Sequence, residues 1–222
     1  MKKFGLCPLL GLFAFFLVTT AGPLKSCADT IVTIKLTGVG SNEAGGFYAY
    51  PYYFSVNGGP GNTALMCLGY YNGISMNESW TATIEPISAM STIETTTGSP
   101  ATAQLFPESV WEEAAWLYND ANVHPSNNDN DQLAAWGLFS SGVSGGNNAQ
   151  LTAAVNFVDA NPNSSLYSEF EIYVPTSGWP SGDDVPQVFI GYGSGPEPGS
   201  FILLFTGLLA FAGVLYRRQR AA

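Results

Sequence analysis

Thr30-Ile31-Val32-Thr33-Ile34-Lys35-Leu36-Thr37 sets Val32, Ile34 and Leu36 against threonine and lysine at every second position. That period predicts a strand with one buried face. A glycine-rich turn from Gly38 to Gly46 ends it, and the next stretch, Phe47 to Val56, is strongly β-prone. Alternation there would put Tyr48, Tyr50, Tyr52 and Phe54 on one face, and Pro51, which has no N–H to give a ladder, predicts a sheet edge or a bulge. The turn cluster Asn57-Gly58-Gly59-Pro60-Gly61 leads into an expected strand at Thr63 to Tyr71, which contains Cys67. Another is expected at Ser79 to Glu85, with Trp80, Ala82 and Ile84 in register. Residues 86 to 106 show no firm periodicity and predict a loop with at most a turn of helix.

The period then changes. Pro107-Glu108-Ser109 opens a helix in which Trp111, Ala115 and Tyr118 recur at spacings of three and four, with Glu112 and Glu113 near its favourable N-terminal end. A polar loop from Asn119 to Asn128 holds the single histidine, His124. A second helix is expected from about Asn130 to Phe139, capped by Asp129, and a third from about Asn148 to Asp159, stopped by Asn161-Pro162. Strands return at Phe170 to Val174 and Val188 to Ile190. Strands, a helical insert and strands again predict a mainly β, α+β domain: a β-sandwich or barrel with about three helices packed on one side.

Both ends of the chain read as addresses. Lys2 and Lys3 precede an apolar core from Phe4 to Val18, and Ser26-Cys27-Ala28 supplies small residues for cleavage, so residues 1–28 predict a secretory signal peptide. At the other end Pro196-Glu197-Pro198 stands before an apolar run and then Arg217, Arg218 and Arg220. Residues 199–216 just reach the roughly 17-residue lower limit for a spanning helix, and the arginines would hold the C-terminus in the cytoplasm. The expected division is a leader at 1–28, an exported globular domain at 29–195 and a tail at 196–222.

Residues 196 to 220 resemble the PEP-CTERM sorting signal of Gram-negative bacteria, in which a Pro-Glu-Pro motif, a transmembrane helix and a basic cluster are read by a membrane protease-transpeptidase, the exosortase. The resemblance implies a precursor anchored in the inner membrane with its domain outside. After clipping by the exosortase, the protein would reach the cell surface or the extracellular matrix, among exopolysaccharide and other envelope components.

Without its two end segments the chain is very acidic. Residues 29–195 keep only Lys35 of the seven basic residues and sixteen of the seventeen acids, for a net charge near −15. Such a surface repels phosphate backbones, whose binding depends on lysine and arginine, and nucleic acid is excluded as a partner. The near absence of lysine also rules out most lysine–asparagine crosslinks. Cys7 and Cys27 fall in the leader, so the mature chain keeps Cys67 without an internal disulfide partner. Among Leu65, Met66 and Leu68 that cysteine fits a small buried hydrophobe, and an intermolecular bridge and a reactive thiol stay open beside that reading.

Cys67, in Ala64-Leu65-Met66-Cys67-Leu68, and Gln132, in Asp131-Gln132-Leu133-Ala134-Ala135-Trp136, together resemble the thioester domains of bacterial surface adhesins. That family pairs a cysteine on an early strand with a glutamine in a Gln-x-Ala-aliphatic-Trp motif on a helix. The resemblance implies a Cys67–Gln132 thioester able to acylate an amine. Gln132 is expected in the first turn of its helix, where unpaired N–H groups would stabilise the developing oxyanion. A glutamine near a helix start also fits an ordinary capping partner.

Other constellations are thinner. A cysteine hydrolase would need Cys67, His124 and an orienting group, while His124 beside Pro125 reads as a solvated side chain. Asn127-Asn128-Asp129-Asn130-Asp131 offers alternating oxygens but lacks the turn glycine and final glutamate of a calcium loop, so no metal and no cofactor is expected. The tyrosine face at 48–54 reads as core before sugar platform. Three function classes follow: a non-enzymatic surface or matrix protein, which the sorting tail and the missing catalytic set favour; a covalent adhesin using Cys67 and Gln132; and an enzyme acting on matrix material, which would need a cleft with convergent polar groups.

Overall fold

The computed structural model describes residues 30–97, 103–162, 164–179 and 185–193. The expected signal peptide and the Pro196-Glu197-Pro198 tail with its 199–216 helix lie outside them. Among the described residues no helix is long and apolar enough to cross a membrane.

Among the described residues are eight strands and three α-helices: β1 (Thr30–Val39), β2 (Glu43–Ala44), β3 (Phe47–Tyr48), β4 (Tyr52–Val56), β5 (Thr63–Cys67), β6 (Ser79–Pro86), α1 (Glu108–Val123), α2 (Asn128–Phe139), α3 (Ala149–Ala160), β7 (Phe170–Ser177) and β8 (Phe189–Tyr192). Six of the strands close an antiparallel barrel in the order β1-β4-β5-β8-β7-β6, and β2 and β3 form a separate ribbon. Of the two architectures expected, the barrel is the one present. The helical insert lies where the change of period placed it.

Alternation explains how one sheet serves two cores. On β1 the residues Val32, Ile34 and Leu36 are buried while Thr33, Lys35 and Thr37 are exposed, because one face of this strand meets the barrel interior and the other meets water. On β5 three successive residues, Leu65, Met66 and Cys67, are all fully buried. Leu65 and Cys67 join Phe54, Trp80 and Phe189 inside the barrel, whereas Met66 joins Trp111, Leu117 and Ala135 in the layer under the helices. The same division separates Tyr173 and Phe189, inside, from Ile172 and Ile190, outside. Strands covered on both faces carry unbroken apolar runs, which is why β5 and β8 show no polar alternation.

The helices form the cover. Trp111, Ala114, Ala115, Tyr118 and Ala121 turn one face of α1 onto the sheet, as the three-and-four spacing predicts. Tyr118 donates its hydroxyl to the Ala64 carbonyl at 3.0 Å, which ties α1 to β5. Asn148 caps α3, its side chain accepting from the Gln150 and Leu151 amides.

Three expectations are corrected. The stretch 47–56 is not one strand with a single tyrosine face: Tyr48 is exposed on β3, Tyr50 is buried under the helices, and Tyr52 and Phe54 point into the barrel. Pro51 precedes β4 and so withholds no ladder donor, and β4, paired with β1 on one side and β5 on the other, is not an edge. The loop expected at 119–128 is mostly helix, since α1 runs on to Val123 and a 3-10 turn over Pro125–Asn127 delivers the chain to Asn128. Finally, α2 starts at Asn128, so Asp129 lies inside the helix and caps nothing.

A close approach seats α2. A Cβ built on Gly137 would lie 2.9 Å from both Cα and O of Gly146, in the loop before α3. Gly137→Ala would gain about 1 kcal/mol of helix propensity, and forcing two backbones apart costs typically 1–3 kcal/mol. The variant is expected to be less stable than the wild type in urea unfolding, against the propensity trend.

Candidate functional site

The site is built by the pairing of β5 with β8. Cys67 stands opposite Phe189 and Met66 opposite Ile190, and the ladder continues past the strand ends, with the Leu68 amide donating to the Val188 carbonyl at 2.9 Å. Gln187 precedes Phe189 by two, so it shares the inward face and is the diagonal neighbour of Cys67, within reach of a long side chain. Asn72, itself buried, donates to the Val185 carbonyl at 2.7 Å and holds the approach to β8 in place.

The thiol therefore meets a glutamine other than the expected one. Cys67 Sγ lies 2.5 Å from Oε1 of Gln187 and 3.0 Å from the Gly69 carbonyl oxygen. That first distance is at the short limit even for hydroxyl donors. The indole N–H of Trp136 points at the sulfur from α2, at 3.4 Å. Both Cys67 and Gln187 are buried. Burial pushes the Cys67 thiol up to about 12, with the hydrogen bond from Trp136 pulling the other way, so at neutral pH the sulfur carries its proton.

Gln132 is in the same place with different partners. Its amide nitrogen donates to the Cys67 carbonyl at 2.6 Å and its oxygen accepts from the Tyr50 backbone N–H at 3.1 Å. Because α2 begins two residues before the expected start, Gln132 is its fifth residue and lies beyond the four unpaired N–H groups of the helix end. The donor that meets its oxygen is Tyr50, from the segment before β4. Fully buried, Gln132 satisfies one donor and one acceptor of the main chain where the strands stop pairing, and so staples α2 to both β5 and the approach to β4.

The geometry brings Cys67, Gln132, Trp136 and Gln187 together. Reading the sequence singled out Cys67 and Gln132, quoted Trp136 only as part of the motif around Gln132, and missed Gln187. Its signal was available: in Pro186-Gln187-Val188-Phe189-Ile190 a lone amide side chain precedes an apolar core strand, and a buried polar group demands a partner.

His124 is elsewhere, hydrogen-bonded through Nδ1 to Asp120 Oδ1 at 2.8 Å at the end of α1, and it is not among the contacts of Cys67. The Asn127–Asp131 run is wound into the start of α2, where successive side chains diverge by about 100° and do not converge on one ion. Among the described residues no group of three or more metal-ligating side chains is found.

Beside Gln132 lies a buried carboxyl. Asp131 Oδ1 accepts from Gln150 Nε2 at 3.1 Å, the same nitrogen donates to Asp120 Oδ2 at 2.8 Å, and Oδ2 of Asp131 has no hydrogen-bond partner. Desolvation, then the nearby Asp120 carboxylate, raises Asp131 to about 7, although the Gln150 hydrogen bond opposes this.

No protein-family model and no curated protein matches the chain.

The raised Asp131 gives a signed expectation. A carboxyl whose folded pKa exceeds its unfolded value of about 3.9 binds a proton on folding, so its contribution is full below pH 4 and is lost as pH rises toward 7. Asp131→Asn removes this dependence. The gain in melting temperature of Asp131→Asn over wild type is expected to grow from pH 4 to pH 7 and then level off; a gain that shrinks over that window would refute the assignment.

Proposed function

We propose that this chain is an exported surface or matrix protein of a Gram-negative envelope, sorted by an exosortase through Pro196-Glu197-Pro198, the apolar run 199–216 and Arg217, Arg218 and Arg220. In this reading its barrel carries an internal thioester between Cys67 and Gln187. The sorting part rests on the tail's sequence. The thioester part rests chiefly on the 2.5 Å approach of Cys67 Sγ to the Gln187 amide oxygen, with Gln132 as a staple and not the acyl donor.

The chemistry balances without oxidant or cofactor. The sulfur of Cys67 bonds to the Gln187 side-chain carbonyl carbon, the carbon–nitrogen bond breaks, and the thiol proton leaves with the nitrogen as ammonia. Burial excludes the water that would hydrolyse the acyl group, and it keeps the thiol in hydrogen-bond contact with the amide whose carbon it would attack. The Trp136 N–H is placed to stabilise negative charge on sulfur as the bond forms and again when it breaks. An arriving amine would take the acyl carbon and return the proton to sulfur, and the product is an amide link from Gln187 to the partner. The domain is consumed once and does not turn over, so it is not an enzyme.

A second reading keeps the same address with a structural or interaction role alone. The observation that favours it is the thiol held in its protonated form at about 12, a poor nucleophile unless the proton is passed on as the bond forms.

One mass measurement tests the whole. In protein recovered from the surface of a Gram-negative host that has an exosortase, the expected mass begins at Asp29, lacks the tail, and falls one ammonia short. Methylamine adds its own mass to that form, which leaves the product one methylene heavier than the calculated chain. Gln187→Ala is expected to abolish the deficit, and Gln132→Ala to keep it while losing about 1–3 kcal/mol of stability from the orphaned Tyr50 and Cys67 backbone groups. A full calculated mass with a titratable thiol would leave the structural reading standing. A deficit lost only in Gln132→Ala would return the bond to Gln132.

A further inference from the structure

Where α1, α2 and α3 meet, one amide nitrogen serves two carboxylates. Gln150 Nε2, from α3, donates to Asp120 Oδ2 of α1 at 2.8 Å and to Asp131 Oδ1 of α2 at 3.1 Å. Asp120 has further partners, since Asn127 Nδ2 donates to its Oδ2 at 3.0 Å and His124 Nδ1 lies 2.8 Å from its Oδ1. Among the described residues Asp131 has only Gln150. Its side chain is fully buried and its Oδ2 is unpaired. A neutral Asp131 keeps this bridge at modest cost, whereas an ionised one buries a second negative charge, short of donors, across a single nitrogen from Asp120.

The next residue is Gln132, which helix geometry turns by about 100° from Asp131. On that side it accepts from the Tyr50 amide at 3.1 Å and donates to the Cys67 carbonyl at 2.6 Å. One turn on, the Trp136 indole reaches the sulfur. The first turns of α2 thus carry the buried acid on one side and the contacts of the Cys67 site on the other, so a shift of that end of the helix moves both.

We propose that Asp131 is a proton-operated latch on α2: protonated, it lets the helix seat Gln132 against Tyr50 and Cys67, and ionised, it loosens that seat. The latch stands on the Gln132 contacts; its effect on the shielding of an acyl group rests on the thioester reading. The surroundings give the sign. From α1 the acid faces Asp120 and, behind it, His124. From α3 it meets Gln150, which does not titrate. Asp129 on α2 itself, and Glu43 on the β2 strand that packs against α2, are exposed. Desolvation, then the Asp120 carboxylate, raises Asp131 to about 7, against the opposing Gln150 hydrogen bond and His124. A carboxyl whose pKa is higher in the seated helix than its ordinary value of about 3.9 holds the seat fully below pH 4 and gives it up as pH rises toward 7. The site is closed in acid and looser in neutral surroundings.

Hydrogen exchange of the Tyr50 backbone amide, whose acceptor is Gln132 Oε1, reads the seat directly. It is measured in the exported protein and in Cys67→Ala, which keeps the main-chain carbonyl at position 67 and cannot form a thioester. In both, protection of that amide, corrected for the intrinsic exchange rate, is expected to fall roughly tenfold or more between pH 4 and pH 7 and then level off. The Leu68 amide, bonded to the Val188 carbonyl between β5 and β8, is expected to keep its protection, and Asp131→Asn to flatten the Tyr50 profile. Protection at Tyr50 that stays constant over the window, falls in step with Leu68, or falls equally in Asp131→Asn would overturn the latch. The expected fall in a protein whose wild type shows its full calculated mass would keep the latch and remove the thioester.

Discussion

Everything at the site depends on the antiparallel register of β5 on β8. That pairing is one of the two seams that join the early strands β1, β4 and β5 to the later β6, β7 and β8, the other being β1 with β6. With Cys67 opposite Phe189, the side-chain period puts Gln187 on the inner face and diagonal to the sulfur. A slip of one residue would send Gln187 out of the barrel and replace it with a valine. Closure and the thiol–amide encounter are one constraint, and it is long-range: 120 residues separate the two groups.

Much of the fold was legible because its signals are local. Val32, Ile34 and Leu36 show their period in eight residues, and Trp111, Ala115 and Tyr118 show theirs in two turns of helix. What the sequence hid was set by tertiary contact. Tyr48, Tyr50, Tyr52 and Phe54 look like one face, yet Tyr48 lies exposed on β3, Tyr50 in the helix layer, and Tyr52 and Phe54 in the barrel interior, because β3 and β4 belong to different sheets. The run 119–128 is polar enough to read as loop, but Asp120, Asn122, His124 and Asn127 spend that polarity on one another and on α1. Gln132 stood out through its motif, whereas Gln187 carried only the weaker signal of a lone amide before an apolar strand, and the strand register made it the partner of the sulfur.

The two glutamines divide the work. Gln132 bonds main chain on both sides and fixes the distance between α2, β5 and the segment before β4; Gln187 offers its carbonyl to the thiol. Trp136, one helical turn beyond Gln132, reaches the sulfur from the same helix. The residue before Gln132, Asp131, is a buried acid with one oxygen unpaired, a cost in stability borne within the helix layer next to the site. Enclosure by the barrel and its helices keeps water from the acyl group in the thioester account, and a cavity lined by Phe47, Tyr70 and Trp136 opens beside Gln187.

A crystal structure of the exported protein is the most direct test, read at the sulfur of Cys67. The account predicts continuous density from Sγ to the side-chain carbonyl carbon of Gln187, no amide nitrogen there, and Gln132 still hydrogen-bonded to the Tyr50 amide and the Cys67 carbonyl. A free thiol beside an intact Gln187 carboxamide, or density joining Cys67 to Gln132, would contradict it.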